Sequence, residues 1–70
     1  MGKLTVLDER GEIVRPGDVF EDFRGDLATL VYPTRATEVG KAGKVTVRYG
    51  SLGMHRELYA TCFNFTVVQA

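Results

Sequence analysis

Reactive side chains are scarce in this chain. His55 is the only histidine and Cys62 the only cysteine. A cysteine paired with a histidine can act as nucleophile and base, and the same two groups can contribute to a zinc site. Their surroundings argue for plainer roles. His55 stands between Met54 and Arg56, which neither ligate a metal nor orient an imidazole, and the nearby glycines make it a solvated loop residue. Cys62 precedes Phe63 in a core-facing turn, where a thiol behaves as a small apolar group. Zinc needs about four ligands, more than one histidine and one cysteine supply. No catalytic, metal or cofactor-binding residue is assigned, and the chain is not read as an enzyme.

Two carboxylates, Asp22 and Asp26, flank Arg24-Gly25. Paired carboxylates can do acid–base work. Here they are expected to cap a turn through backbone N–H groups, with Arg24 neutralising them. The Arg24-Gly25-Asp26 tripeptide is a chance match to an integrin-binding string. Gly40-Lys41-Ala42-Gly43-Lys44 lacks the spacing and the closing serine or threonine of a phosphate-binding loop, and no helix follows it.

Binding chemistry remains. The nine bases and nine acids cancel overall but are unevenly placed: four bases against seven acids up to Pro33, five against two from Thr34 onward. The basic second half offers Arg35, Lys41, Lys44, Arg48 and Arg56. Tyr32 and Tyr59 are the aromatics expected to lie exposed, able to stack on a base or line a peptide groove. These seven residues form the candidate binding surface. A strand spanning Lys44–Tyr49 would put Lys44 and Arg48 on one outward side. A sequence pI near 6.5 argues against nucleic acid as the first choice of partner.

The elements that must position these residues are short and β-like. Leu4–Leu7, Glu12–Val14, Val19–Phe23, Leu27–Thr34, Lys44–Tyr49, Glu57–Ala60 and Phe65–Val68 have strand composition or alternation. Asp8–Gly11, Arg15–Asp18 and Arg24–Asp26 read as turns, with Gly11 and Gly17 free to adopt positive φ. Ala28, Leu30 and Tyr32 are expected on one face of their strand. Pro33 implies an edge, a bulge or a strand end. The stretches 34–44 and 50–56 read as mobile connections. Val45 and Val47 should face inward and Thr46 outward. Tyr49 should bury its ring and keep its hydroxyl wet. Thr61–Phe63 fits one turn of 3₁₀ helix. No apolar periodicity supports a long α-helix.

Residues 1–70 are therefore expected to form one all-β domain, a small barrel of five to six antiparallel strands with one short 3₁₀ turn before the last. The order resembles SH3-like folds, in which a long bent strand precedes a central hairpin and a single 3₁₀ turn precedes the closing strand. A lone cysteine, no signal-peptide pattern and no apolar run near ~20 residues lead to the expectation of a cytoplasmic protein with no membrane partner.

Four strings carry a closer resemblance: Val14-Arg15-Pro16-Gly17-Asp18-Val19, Asp22-Phe23-Arg24-Gly25-Asp26, Gly40-Lys41-Ala42-Gly43-Lys44-Val45 and Tyr59-Ala60-Thr61-Cys62-Phe63. They are similar to small uncharacterised proteins of actinobacterial phages and prophages, over roughly residues 12–68. Leu58 replaces the first aromatic of a "YYAxVF" tail, and Cys62 its valine. The resemblance implies a phage or prophage origin and carries no catalytic signature. The expected function is a non-catalytic protein-interaction module with an unidentified protein partner, self-association through an edge strand being one form. The alternative is a small nucleic-acid-binding barrel using its basic face.

Overall fold

The computed structural model describes residues 3–50 and 53–69. The chain runs through β1 (Leu4–Leu7), β2 (Ile13–Val14), β3 (Val19–Glu21), β4 (Leu27–Arg35), β5 (Lys44–Tyr49), β6 (Met54–Tyr59), a 3₁₀ turn (Ala60–Phe63) and β7 (Thr66–Gln69). All ladders are antiparallel. They form a three-stranded sheet, β2-β1-β7, and a four-stranded sheet, β3-β4-β5-β6. The all-β expectation holds, with one 3₁₀ turn and no α-helix among the described residues. A single closed barrel is not formed: seven strand segments sort into two sheets, where five or six in one barrel were expected. No helix among the described residues is long and apolar enough to cross a membrane.

The core lies between the sheets. Val6 and Val67 enter it from the first sheet and Ala28, Leu30, Val45 and Val47 from the second. Ala60, Phe63 and Phe65 close one end from the 3₁₀ turn and the residue before β7. Phe20 joins Phe63 and Phe65 in a three-ring cluster, its centroid 4.9 and 4.8 Å from theirs, both pairs edge-on. Edge-on contact sets the positive ring rim against a negative face. Asn64 ends the turn in the left-handed region at φ 58°. This lets Phe65 N–H reach back to the Ala60 carbonyl at 2.9 Å.

One turn design is used twice. Asp8-Glu9-Arg10-Gly11-Glu12 joins β1 to β2, and Asp22-Phe23-Arg24-Gly25-Asp26 joins β3 to β4. In each, Oδ1 of the leading aspartate accepts the backbone N–H groups two and four residues on, at 2.8–2.9 Å. The glycine N–H returns to the aspartate carbonyl. Gly11 and Gly25 sit at φ 81° and 84°, a region that a Cβ disfavours.

β4 bends at two bulges. Leu30 pairs with Val47 and Tyr32 with Thr46, leaving Val31 extra; Pro33 pairs with Val45 and Arg35 with Lys44, leaving Thr34 extra. Pro33 thus lies between bulges, on the half of β4 that β3 does not pair with. Proline tolerates such a site because it has no N–H for a ladder. The first bulge overturns one expectation: Tyr32 does not share a face with Ala28 and Leu30 but is 52% exposed on the opposite side. An extra residue inverts the alternation downstream of it.

The stretch 34–44 is not a loose loop. Thr34 and Arg35 belong to β4, and Glu38 pairs with Lys41 across a tight turn. Thr37 exchanges two bonds with Val67: its N–H donates to the Val67 carbonyl at 2.8 Å, and its Oγ1 accepts the Val67 N–H at 3.0 Å. Arg35 clamps the far side through the Ala42 carbonyl, Nη2 at 2.6 Å and Nε at 3.2 Å. Gly43 is buried at this crossing. The expected connection 50–56 is also shorter than the sequence implies, since β6 begins at Met54; Ser51 and Leu52 lie outside the described residues.

Candidate binding surface

The outer face of the four-stranded sheet is set by register, because residues opposite one another in a ladder share a face. Across β4, β5 and β6 it carries three rows: Arg35, Lys44 and Tyr59; Tyr32, Thr46 and Glu57; Thr29, Arg48 and His55. Five of the seven residues expected at a binding surface are therefore brought together: Tyr32, Arg35, Lys44, Arg48 and Tyr59. Lys41 stands apart in the 38–41 turn. Arg56 falls on the opposite face, opposite Val47. It lines an open cleft of ≈ 650 Å³ with Arg24, Asp26, Leu27, Tyr49 and the two neighbouring glycines. The five bases do not make one positive face.

Cations on the outer face are largely committed. Arg35 is spent on the Ala42 carbonyl. Lys44 Nζ lies 3.7 Å from Glu57 Oε1 and 5.3 Å from the Tyr59 ring centroid. An ammonium over an aromatic face is attracted by the ring quadrupole, weakly where water competes. Arg48 alone of the three makes neither a side-chain hydrogen bond nor an ion pair among the described residues. Tyr32 and Tyr59 are both 52% exposed and flank this group from β4 and β6. Thr46 points to the outer face as expected, yet is 7% exposed, enclosed by its neighbours at the centre of the grid. Thr29, Thr46, His55 and Glu57 complete this face but are not among the seven candidates. The signal for them is parity along β5 and β6, which becomes readable only once β6 is known to start at Met54.

His55 and Cys62 are separated in role. His55 projects from the exposed outer face of β6, not from a loop. Cys62 packs partly buried against the core from the 3₁₀ turn. Among the described residues no three side chains of metal-binding type converge.

The most constrained titratable pair lies at the sheet's end. Asp22 is 7% exposed. Its Oδ1 accepts the Arg24 and Asp26 N–H groups, and its Oδ2 accepts the Tyr49 hydroxyl at 2.9 Å. Arg24 Nε stands 4.0 Å from Asp22 Oδ2 and 3.9 Å from Asp26 Oδ2. Asp22 caps the turn as expected and Arg24 stands beside both carboxylates, but the Asp26 side chain caps no backbone N–H among the described residues, and the Tyr49 hydroxyl is bonded where a wet one was expected. Burial pushes the Asp22 pKa up; the Asp26 N–H, the Tyr49 hydroxyl, the Arg24 N–H and the Arg24 charge together outweigh it, so the pKa falls below the ordinary value. Burial, then the bond to Asp22 and its charge, push Tyr49 up to about 12.

The pair has a signed consequence for stability. A lowered carboxylate pKa stabilises the fold above the unfolded value of ~4 and loses that contribution as pH falls through the folded value. A raised tyrosine pKa stabilises below the unfolded value of ~10. That part is lost as pH climbs towards about 12. Tyr49→Phe is expected to lower stability at neutral pH by about 1 kcal/mol, less than the ~1.5–3 kcal/mol of an enclosed bond to a charged acceptor because Tyr49 is only half-buried. Urea midpoints across pH should show the wild-type advantage closing below pH ~4 and above pH ~10. An advantage independent of pH would remove Asp22–Tyr49 as its source.

No protein-family model matches the chain, and no curated protein or solved structure matches it either.

Proposed function

We propose that this chain is a non-catalytic protein-interaction module, an accessory protein of phage or prophage origin that grips its partner with the outer face of the four-stranded sheet. One observation carries the reading: Tyr32 and Tyr59 stand half-exposed on one face, around cations already neutralised or bonded within the protein. Tyrosine supplies large contact area at low entropic cost and is enriched where proteins meet. The strand order supports an SH3-like arrangement: β4, β5 and β6 form a meander, the 3₁₀ turn follows, and β7 returns beside β1. The resemblance over roughly residues 12–68 supports the phage origin.

Nucleic-acid binding is the second reading, favoured by Lys44 and Arg48 beside the same tyrosines. Phosphate recognition needs cations free to displace counterions, and this face has one clear of protein partners among the described residues. The two readings separate in one experiment. Immobilised wild type should retain a protein from bacterial lysate that Tyr32→Ser/Tyr59→Ser, folded by circular dichroism, does not. Equal retention by both would refute the tyrosine face. DNA or RNA binding at ~50 mM salt that weakens as salt rises and vanishes in Lys44→Glu/Arg48→Glu would install the second reading instead.

A further inference from the structure

We infer that the open edge of β6 receives an extended segment of a different protein, in antiparallel register, with an acidic residue opposite Arg56 and a basic residue opposite Glu57. The inference rests on the protein-interaction reading and names the partner's chemistry at the border of the same sheet.

The sheets' outer edges differ in availability. β2 and β3 are two and three residues long. The edge of β7 is occupied, because Thr37 bonds both the N–H and the carbonyl of Val67. β6 ends the order of the larger sheet, runs for six residues without proline, and bonds on its outer side to no other segment among the described residues. Unpaired N–H and C=O groups in a row are a template for an added strand.

A second copy of this chain is a poor occupant. Two identical antiparallel strands joined in one continuous sheet are related by a two-fold axis normal to it, which places one residue opposite itself. Centring on Arg56 gives a five-residue ladder with Arg56 on Arg56. Centring on Glu57 gives another with Glu57 on Glu57. Like charges directly opposite are destabilising. Centring on His55 or Leu58 avoids the clash but leaves a ladder of three residues within β6. The His-Arg-Glu centre of this strand thus opposes self-pairing in its long registers and leaves the edge to a foreign strand.

The complementary strand can be written out. Read from its N-terminus it opposes Tyr59, Leu58, Glu57, Arg56, His55 and Met54 in turn. Leu58, Arg56 and Met54 share the inner side; Tyr59, Glu57 and His55 share the outer side. A strand with β-branched residues at its ends and the order base–acid at its centre pairs Arg56 with an acid and sets a second base beside Glu57. That base lies on the edge side, away from Lys44 Nζ at 3.7 Å from Glu57 Oε1. Arg56 and Glu57 are exposed and within reach of such a neighbour.

The test uses two blocked hexapeptides, Thr-Val-Lys-Glu-Thr-Val and its reversed-charge form Thr-Val-Glu-Lys-Thr-Val, titrated into ¹⁵N-labelled full-length protein. The first should shift amides of β6 and bind roughly tenfold more tightly than the second. The Arg56→Glu/Glu57→Arg variant should invert that preference. Equal binding of both peptides, shifts centred away from β6, or a wild-type dimer in light scattering whose interface maps to β6 would each overturn the inference. Failure of the peptides with tyrosine-dependent retention of a lysate protein would sink the edge and leave the interaction reading standing. Charge-selective peptide binding without such retention would uphold the edge and sink the tyrosine face.

Discussion

Gly43→Ala is expected to lower stability by about 2–4 kcal/mol, far more than a glycine-to-alanine change at an open site. A Cβ built at Gly43 would lie 2.6 Å from Thr37 Oγ1, 2.9 Å from the Arg35 carbonyl oxygen and 3.0 Å from Val67 Cγ2. None of the three can yield freely. Thr37 Oγ1 is held by the Val67 N–H, the Arg35 oxygen is backbone inside β4, and Val67 is fully buried. The Gly43 carbonyl also accepts the Ala60 N–H at 2.8 Å, so displacing this backbone strains the start of the 3₁₀ turn. In thermal melts the midpoint should fall by roughly 10–25 °C. Gly40→Ala is the control. It has nothing within 4 Å of the added methyl but a φ of +78°, and should cost only about 1 kcal/mol through backbone strain. Equal midpoints for the two variants would show that the 36–43 segment gives way without loss.

Phe65→Ala is expected to bring the protein to the verge of unfolding. Phe65 is 8% exposed, with its ring centroid 4.8 Å from Phe20 and 5.5 Å from Phe63. It joins a strand of the larger sheet to the 3₁₀ turn and to the start of β7. Removing a buried phenyl ring costs about 3–5 kcal/mol in lost transfer energy and cavity. A chain of this length holds roughly 4–10 kcal/mol in total. Urea unfolding should start near zero denaturant, and dispersed methyl and aromatic resonances should collapse. Phe23→Ala is the paired measurement, because Phe23 is 75% exposed on the following turn. Its effect should stay within about 0.5 kcal/mol. Similar losses at Phe23 and Phe65 would contradict the position of the core.

These residues also mark how far the sequence could be read. Gly11, Gly17 and the Thr61–Phe63 turn announce themselves locally, since glycine and a short polar–apolar turn have few alternatives. Val45 and Val47 are plain from alternation. What escapes depends on partners distant in sequence. Tyr32 changes face because β4 inserts Val31 against β5, a mismatch of register that β4 alone does not display. Met54, His55 and Arg56 are indifferent strand formers and become strand because the six-residue ladder with β5 overrides propensity. The 34–44 stretch looks polar and loose until Thr37 meets Val67, thirty residues on. Tyr49 finds Asp22 across twenty-seven. The candidate surface follows the same rule: Lys44 and Arg48 were paired by strand parity, whereas Arg56 was misplaced because its side depends on where β6 begins.

The duplicated aspartate turn places a matched comparison inside one molecule. Its two copies share a hydrogen-bond diagram, a glycine at nearly equal φ and an arginine before it. They differ in the donors to the leading carboxylate: backbone N–H groups alone at Asp8, the Tyr49 hydroxyl as well at Asp22. Asp8→Asn and Asp22→Asn therefore pose one chemical question in two surroundings. The difference between their responses to pH isolates what the interior adds to an identical cap. Because both copies sit in the same fold, at the same temperature and against the same unfolded chain, a comparison ordinarily made between unrelated proteins becomes one between two sites fourteen residues apart.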